Sequence, residues 1–468
     1  FRSSFHQCSR NNPSTGFSTW LLGMMSTTSL AVFAALLALS QCCDALRATK
    51  SHTADNVGSY SFAHFARDYG RTYEHGSAEY LHRAALFEKS VLAIQARNAQ
   101  NIMEGRRWRA GIHPFMDWTQ EERKALNGYK PARARMHSHQ VSLLHENARG
   151  MSGRSFGEAW ANLTAPSAAG GLAAASGPRM RNQGSCGSCW AISAVEAVEA
   201  QLQKSGVPAP PVSAQALVDC VPNPQHCGGT GGCDGATGEL AYAFMRDYGI
   251  PLEDELPYTA QTGSCPQSLS GPWQAARRVR VDGWKQLPSN RAEPLLHALV
   301  NDGPVVVAVD GNPWFDYDGG VFDSCSKDAI LGHAVLAKGY GTESGSRYWL
   351  IQNSWGSGWG EQGHIRLLMH QDEEQWCGTD NKPKDGVGCD GGPSEITVCG
   401  ACGLLYDPVI PTGVRLEGGD NSGLRGSQAV ASDTPHEDVV APITAAVVAE
   451  PTVEDKELDD LLKKYQSH

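Results

Sequence analysis

The spacing of apolar residues changes along the chain from a helical period to an extended one. Through residues 60–69 and 79–101, apolar side chains recur every three or four positions, which is typical of amphipathic helices. Shorter apolar runs without that spacing occupy residues 305–309, 334–337 and 348–351, and such runs are typical of buried strands. The pattern predicts helices in the first half of the chain and strands in the second.

A further helix is predicted to begin at Cys189. The residues just before it, 182–188, are rich in glycine and serine, whereas the residues after it are strong helix formers. The apolar side chains that follow recur at helical spacing, as in a helix packed on a core: Ile192, Val195, Val198 and Leu202. Residues 240–248 also have a helical pattern, and residues 341–346 indicate a turn between two strands. A helical half followed by an antiparallel half predicts an α+β protein with two lobes and a groove between them.

The two ends of the chain differ in composition from this folded part. Residues 1–24 show no readable pattern and are expected to be untranslated or leader residues. In residues 25–45, ten apolar residues precede small ones, which is typical of a signal peptide; ten is too short for a bilayer span, although a membrane anchor stays the alternative. Residues 415–468 lose aromatic residues and periodicity, so a disordered tail with a short charged helix near 454–466 is expected.

Length, charge and cysteine content narrow the function classes. The 468 residues exceed one typical domain, so two folded units, or one unit with extensions, are expected. The formal net charge of -11 argues against a nucleic-acid partner, because no basic stripe is available to neutralise phosphates. Fourteen cysteines in a chain with a predicted signal peptide indicate disulfides formed in an oxidising compartment.

Cys189 has a position that suits nucleophilic chemistry. At the first turn of a helix, free N–H groups and the helix dipole favour thiolate over thiol, and a nearby imidazolium lowers the thiol pKa further, from about 8.5 into the range of about 3.5–7.5. The alternative is that Cys189 is one more half-cystine. The sequence Cys-Gly-Ser-Cys-Trp at 186–190 favours the nucleophile, because it resembles the active-site sequence of the papain-like cysteine peptidases, the family that includes cathepsin L.

The resemblance extends to the other catalytic residues. His333 stands in an apolar strand context 144 residues after Cys189 (333 − 189), inside the interval of roughly 130–150 residues for this family. Asn353 opens the sequence Asn-Ser-Trp-Gly. The resemblance implies a nucleophile at Cys189, an acid and base at His333 and an orienting amide at Asn353. It also implies an oxyanion donor at Gln183, while Trp355 shields the His–Asn hydrogen bond from water.

Two upstream sequences resemble the inhibitory prodomain of cathepsin L-type zymogens. The first has the spacing of that prodomain's helix motif, with Ser90 where the family has Asn: Glu79, Arg83, Phe87, Ile94 and Asn98. The second covers residues 111–117, with His113 where the family has Asn. The resemblance implies that residues 57–131 form the chain's own intramolecular inhibitor, which lies backwards through the active-site cleft.

The join between this inhibitor and the peptidase differs most from the family. Residues 132–176 are rich in Ala, Gly, Ser and Arg, which predicts a flexible linker containing the activation cleavage region. The papain-like peptidase domain is expected at residues 177–414. The family's opening Asp-Trp-Arg segment has no counterpart near Gln183, since Trp160 lies too far upstream. The sequence therefore leaves the mature N-terminus open.

Eleven cysteines lie from Cys186 onward, and ten, an even number, remain once the nucleophile is removed. The resemblance implies three disulfides: Cys186–Cys233, Cys220–Cys265 and Cys325–Cys402. The connectivity of Cys377, Cys389, Cys399 and Cys227, which lies in an insertion at 222–231, is not deducible from the sequence. A zinc site from Cys377, Cys389, Cys399 and Cys402 is the alternative to further disulfides, which an oxidising compartment favours. Neither a metal nor a cofactor is expected.

The same resemblance implies a set of residues that contact substrate: Gly235, Ala236, Ala308, Asp407 and Trp355. Ala236 stands where relatives have a glycine that contacts substrate through its backbone. Ala308 and Asp407 match the wall and floor of the second subsite. A carboxylate at Asp407 is expected to let arginine bind there besides leucine or phenylalanine.

These features predict a cysteine endopeptidase, made as a latent zymogen, that hydrolyses peptide bonds through an acyl-enzyme thioester. Protein and peptide substrates, a monomeric state and a lysosomal, vacuolar or extracellular location are expected, with no stable membrane insertion after signal removal. Two alternatives stay open: a catalytically silent protein-binding homologue, and an inhibitor that acts through its prodomain. Transpeptidation by the same residues is also open.

Overall fold

The computed structural model describes residues 54–127, 178–207, 210–266 and 277–418. The predicted leader and signal peptide, the linker and nearly all of the predicted tail, including its charged helix, lie outside these ranges. The described ranges form an N-terminal helical segment, a helical lobe and a β lobe. None of the helices in these ranges combines the length and the hydropathy that a membrane span requires.

The N-terminal segment is helical, as predicted. It comprises a 3₁₀ turn at Ala54–Ser59, helix α1 at Phe62–Asp68, helix α2 at Ala78–Glu104, strand β1 at Trp108–Ala110 and helix α3 at Gln120–Ala125. Each helix begins after a residue whose side chain accepts a backbone N–H of the first turn: Ser61, Ser77 and Thr119. These caps explain where the helices begin.

Arg83 of α2 ties the N-terminal segment together. Its guanidinium pairs with Glu79 at 2.6 Å and with Glu122 of α3 at 2.6 Å, and it donates to Asp117 O at 2.9 Å. Phe87, one turn further along α2, is fully buried. Glu79 and Arg83 thus form an i,i+4 ion pair on α2, and Phe87 anchors the helix in the core.

The helical lobe is built around α4, which spans Cys189–Lys204. The four apolar residues predicted to face a core on this helix are each no more than 1% exposed. Helices α5 (Ala214–Cys220) and α6 (Gly238–Asp247) pack against α4. The helix predicted at 240–248 is confirmed as α6.

A small sheet closes this lobe and corrects the prediction for the tail. It joins β2 (Ile250–Pro251), β3 (Arg278–Arg280) and β13 (Arg415–Glu417) in the order β13-β3-β2. Residues 415–417 were expected to be disordered, but Leu416 lies opposite Val279 and packs against the apolar core of the lobe. Burial of this side chain and the backbone pairing with β3 extend the folded domain past residue 414.

The β lobe is an eight-stranded sheet in the order β1-β6-β9-β8-β7-β5-β12-β4. Its other strands are β4 at Gly283–Gln286, β5 at Val305–Val309, β6 at Tyr317–Phe322, β7 at His333–Glu343, β8 at Ser346–Gln352, β9 at His364–Leu368 and β12 at Val409–Thr412. Helix α7 (Ala292–Asn301) packs on β5 and β7. All pairings in the sheet are antiparallel except that of β6 with β9.

The three strands predicted from apolar runs are confirmed within β5, β7 and β8, but the turn predicted at 341–346 is shorter. Strands β7 and β8 extend into it and leave only Ser344 and Gly345 between them, with φ values of 48° and 80°. Positive φ values at both central residues are typical of a type I′ turn, which suits the twist of a two-residue β-hairpin. The predicted α+β architecture, with a helical lobe facing an antiparallel lobe, is confirmed.

The N-terminal segment is joined to the β lobe. Strand β1 adds an edge to the large sheet by pairing antiparallel with β6, where Trp108 lies opposite Gly320. One apolar core is shared between them, since Phe87 and Phe115 of the segment and Phe315 and Trp355 of the lobe belong to the same buried cluster. The N-terminal segment therefore packs against this lobe through a paired strand and a shared apolar core.

The structure contains five disulfides, of which three are those predicted: Cys186–Cys233, Cys220–Cys265 and Cys325–Cys402. The other two are Cys227–Cys389 and Cys377–Cys399, the latter within a hairpin of β10 (Cys377–Asp380) and β11 (Ile396–Cys399). The alternative of a zinc site is wrong, because all four of its candidate ligands form disulfides. Among the described residues, only Cys189 is a free cysteine.

Candidate active site

Cys189 lies where the two lobes meet. It is the first residue of α4, and its thiol is nearly buried, with 4% of the residue exposed. The backbone N–H of Ala334, in strand β7 of the opposite lobe, donates to Cys189 Sγ at 3.5 Å. Cys189 of the helical lobe and the strand that begins at His333 are thus brought together across the groove.

His333 and Asn353 form the hydrogen bond predicted for them. Residue 353 follows the end of β8, which pairs with β7, so the two side chains come to the same end of the sheet. His333 Nε2 lies 2.8 Å from Asn353 Oδ1. Because Asn353 Oδ1 also accepts the N–H of Ser354 at 2.8 Å, it acts as the acceptor and Nε2 carries the proton. In the neutral ring this leaves the lone pair on Nδ1.

Trp355 covers the imidazole. The rings of His333 and Trp355 are stacked, with centroids 5.1 Å apart and planes at 28°. Trp355 also stacks on Phe315, with ring centroids 4.8 Å apart, and packs edge-to-face on Phe115 of the N-terminal segment, with centroids 5.4 Å apart. The indole therefore shields the His–Asn pair, as predicted, and it lies against the N-terminal segment.

Gln183 donates to a peptide carbonyl of the N-terminal segment. Its side chain is fully buried and is oriented by Ser354, whose Oγ donates to Gln183 Oε1 at 2.6 Å. Gln183 Nε2 donates to Leu126 O at 2.9 Å and to Cys186 O at 2.9 Å. The amide predicted to hold an oxyanion is thus bonded to a carbonyl oxygen from residues 54–127.

The end of the N-terminal segment enters the cleft itself. Asn127 lines the same cavity as Cys189 and His333, and its Nδ2 donates to Asn312 Oδ1 at 2.6 Å. Further back, the fully buried His113 lies 3.3 Å from Asp316 of the β lobe. The segment therefore covers the site in the way predicted for an intramolecular inhibitor.

The protonation of the pair in this closed state differs from the sequence prediction. Burial raises the pKa of Cys189 to about 11, although the N–H groups of Ala334 and Trp190 act in the opposite direction. Burial also lowers the pKa of His333 to about 4, against a smaller opposite effect of Asn353. The expectation of a lowered thiol pKa is wrong for this form of the protein, because loss of water from the covered site outweighs the helix N-terminus. The thiol of Cys189 and the imidazole of His333 are therefore both neutral in this form.

Four of the predicted substrate-contacting residues lie together. Gly235, Ala236, Ala308 and Asp407 line one cavity with Cys189 and His333. Trp355, the fifth, does not line this cavity and lies against the N-terminal segment instead. The residues expected to form the second subsite are therefore adjacent to the nucleophile.

Glu239 is a residue of this cavity that the sequence reasoning missed. It lies in the first turn of α6 and lines the cavity beside Asp407. Burial and the neighbouring Asp407 raise the pKa of Glu239 to about 8. Burial likewise raises the pKa of Asp407, whose Oδ1 accepts from Gln286 Nε2 at 2.6 Å. The two carboxyl groups are half-buried and close together, so each disfavours ionisation of the other.

A second feature that the sequence did not reveal is the wall formed by Gly386 and Val387, which line the same cavity. They lie in the loop between β10 and β11, and Cys389 of this loop is bonded to Cys227. The sequence indicated the insertion at 222–231, but it did not indicate that Cys227 in this insertion pairs with Cys389. In the described ranges no group of three or more His, Cys, Asp or Glu side chains is arranged to hold a metal ion.

Comparison with known proteins identifies both parts of the chain. The profile described as "Papain family cysteine protease" matches residues 174–387, and the profile "Cathepsin propeptide inhibitor domain (I29)" matches residues 62–122. Both matches fall where the described structure has its two lobes and its N-terminal segment.

Relatives and solved structures agree with these matches. A cathepsin L-like proteinase of Fasciola hepatica is 32% identical over 301 residues, which cover 64% of this chain and 85% of the relative. A cathepsin L-like proteinase of Phaedon cochleariae is 30% identical over 324 residues, or 68% of this chain and 90% of the relative. The structure of digestive procathepsin L2 proteinase from Tenebrio molitor larval midgut superimposes with a TM-score of 0.54 at 28% identity, covering 76% of this chain and 99% of that one.

Proposed function

The chain belongs to the papain family of cysteine proteases, made as a cathepsin L-type zymogen, and from that premise we propose that it hydrolyses peptide bonds through a thioester on Cys189. In this proposal Cys189 is the nucleophile, His333 the acid and base, and Asn353 the residue that orients the ring. Gln183 Nε2 and the backbone N–H of Cys189 hold the oxyanion.

The chemistry follows from the side chains of the site. His333 Nδ1 takes the thiol proton as Cys189 Sγ attacks the substrate carbonyl carbon, and the C–N bond then breaks as His333 returns that proton to the leaving amine. A water molecule next attacks the thioester, giving its proton to His333, and the acid leaves as the proton returns to Sγ. Throughout, Asn353 Oδ1 accepts a hydrogen bond from the Nε2–H of His333 and keeps Nδ1 available to the sulfur.

The observation that best supports this proposal is the bond between Gln183 Nε2 and Leu126 O, at 2.9 Å. In the zymogen, the donor that the mechanism requires, Gln183 Nε2, is hydrogen-bonded to a peptide carbonyl oxygen. This carbonyl belongs to the inhibitory segment and not to a substrate. The inhibitor therefore occupies the place of a substrate carbonyl. The neutral thiol and imidazole beside it are consistent with latency.

Activation and location form the next part of the proposal. The prodomain is cut within 132–176, by the enzyme itself or a relative at low pH, and leaves a monomeric peptidase domain that acts on proteins and peptides. Five disulfides in the described ranges support passage through an oxidising secretory compartment and a lysosomal, vacuolar or extracellular destination.

The second subsite is proposed to accept arginine or lysine besides leucine. The supporting observation is that Asp407 and Glu239 both line the cavity next to Ala236 and Ala308, walled by apolar residues. A cationic side chain in this pocket stabilises negative charge on the carboxyl pair, while the apolar walls suit an aliphatic side chain.

Titration of the processed protein with a thiol-directed epoxide tests the proposed function. We expect one equivalent to block peptide hydrolysis, and Cys189→Ala protein processed by a relative to show neither labelling nor hydrolysis. Labelling without hydrolysis of any peptide would indicate a catalytically silent homologue. Inhibition of cathepsin L-like enzymes by segment 57–131, with no activity from the full chain, would indicate an inhibitor instead.

A further inference from the structure

One disulfide differs from the other four in what it connects. Cys186–Cys233 and Cys220–Cys265 lie within the helical lobe, and Cys325–Cys402 and Cys377–Cys399 lie within the β lobe. Cys227–Cys389 joins residues 162 positions apart, one between α5 and α6 and the other between β10 and β11. Among the described residues it is the disulfide that crosses from one lobe to the other.

Hydrogen bonds reinforce the crossing. We call the two connected loops, 222–231 and 381–392, the strap. Gly228 N donates to Gly388 O at 3.1 Å, and Asp390 N donates to Gln225 O at 2.8 Å. His226 Nδ1 lies 2.8 Å from Asp390 Oδ2. The two loops are therefore joined by backbone bonds as well as by sulfur.

Each half of the strap is seated on its own lobe. On the helical side, Gly228 lies so close to Ala236 that an added Cβ would stand 2.6 Å from Ala236 O. On the β side, Gly386 packs against the backbone of Leu331, with no room for a Cβ. Close backbone packing at both ends leaves the strap little freedom to swing away.

The strap stands at the second-subsite end of the cleft. Gly228, Gly386 and Val387 line the same cavity as Ala236 and Asp407. Trp355, which is stacked on His333, lies outside this cavity and against the prodomain residue Phe115. The strap therefore borders the cavity that contains the second-subsite residues, whereas Trp355 does not.

We propose that the strap closes the cleft beyond the second subsite, so that the enzyme accepts at most two substrate residues on the acyl side of the scissile bond. An extended peptide advances about 3.3 Å per residue. A third residue would therefore collide with the strap, where Gly228 contacts Ala236 and Gly386 contacts Leu331. The inference rests on the proposed function. It restricts the bonds that the enzyme hydrolyses to those near the N-terminus of a substrate. The substrate class is peptides cut two residues from their amino end.

The test compares fluorogenic substrates that share the two residues before the leaving group and carry two, four or six residues in all. For the processed enzyme we expect kcat/KM to fall at least about tenfold from two residues to four, the size of effect that a single steric clash produces. In Cys227→Ser/Cys389→Ser protein the fall should shrink to less than about threefold. Cys377→Ser/Cys399→Ser protein, which loses a disulfide within one lobe, should keep the full fall.

A second measurement needs no variant. Mass spectrometry of a long unstructured peptide digested by the wild-type enzyme should show successive dipeptides released from its N-terminus. Equal kcat/KM for two and four residues, or internal fragments as the first products, would overturn the strap proposal while leaving the proposed function intact. Failure to hydrolyse even the two-residue substrate would overturn both.

Discussion

Removal of the prodomain should change the reactivity of one sulfur atom. In the zymogen, burial raises the pKa of Cys189 to about 11 and lowers the pKa of His333 to about 4, so the pair is neutral at every pH between these values. Once Leu126 and Asn127 leave the cleft, water and the helix N-terminus can stabilise the thiolate, and the imidazolium can form beside it. Proteolytic removal of the prodomain is therefore the change that should alter the ionisation of Cys189 and His333.

The size of the change can be worked out at pH 8. A thiol whose pKa is about 11 is about one part in a thousand thiolate at that pH, whereas a pKa of about 7 or below makes the thiolate dominant. The thiolate fraction therefore rises about a thousandfold on activation. Intrinsic nucleophilicity falls with pKa by a Brønsted slope of about 0.4–0.5, which removes about fiftyfold. For a processed pKa of about 7 the net gain from ionisation is therefore about 10–20-fold; a lower pKa reduces this gain, and exposure of the sulfur adds to it.

The assay is alkylation of Cys189 by iodoacetamide, followed by mass spectrometry, in zymogen and processed protein that both lack residues 1–45. Between pH 7 and 9 the zymogen rate should rise about tenfold per pH unit, because only the small thiolate fraction reacts. The processed protein should react faster and nearly independently of pH. A zymogen rate that equals the processed rate, or that does not change with pH, would refute the reasoning.

Three further outcomes are expected. Gln183→Ala should lower kcat by about 10²–10³ in steady-state assays of the processed enzyme, since one oxyanion donor is lost; an unchanged kcat would remove Gln183 from the mechanism. His113→Asn should move zymogen activation to lower pH in a gel-based processing assay. Burial lowers the pKa of His113 despite the opposite effect of Asp316, so His113 is neutral when the prodomain is docked. Docking of the native prodomain therefore weakens as pH falls below about 6.5, where a released His113 gains a proton. The same activation midpoint in both proteins would contradict this role. Asp407→Asn/Glu239→Gln protein, which lacks both carboxylates of the pocket, should have kcat/KM for arginine at the second subsite lowered by about 10–200-fold relative to leucine in paired fluorogenic substrates. An unchanged ratio in this double variant would end the idea of a cation-binding subsite.

The elements that depend on local sequence were predictable. The helix at Cys189 begins where glycine and serine give way to helix formers, and its apolar spacing alone indicates which face is buried. The same holds for Arg83, because its partner Glu79 lies one helical turn away. The pairing of Cys186, Cys220 and Cys325 followed from the family resemblance rather than from spacing.

What escaped prediction depends on residues that are distant in sequence. Glu239 and Asp407 are ordinary surface-type residues in the sequence, and only the fold brings them side by side in a half-buried pocket. No local sequence pattern indicates that they are neighbours. Cys227 and Cys389 are separated by 162 positions, and cysteine positions do not determine connectivity. The pKa of Cys189 was predicted with the wrong sign for the zymogen, because the helix N-terminus is visible in the sequence whereas the desolvation caused by the covering segment is not.

The most direct test of the central claim is rapid acid quenching of processed enzyme mixed with a peptide ester, followed by mass spectrometry of the peptide that contains Cys189. The account predicts an added acyl mass on Cys189 within the first turnover, and none on any other residue. Peptide hydrolysis by Cys189→Ala protein, or turnover without an acyl group on this sulfur, would contradict it.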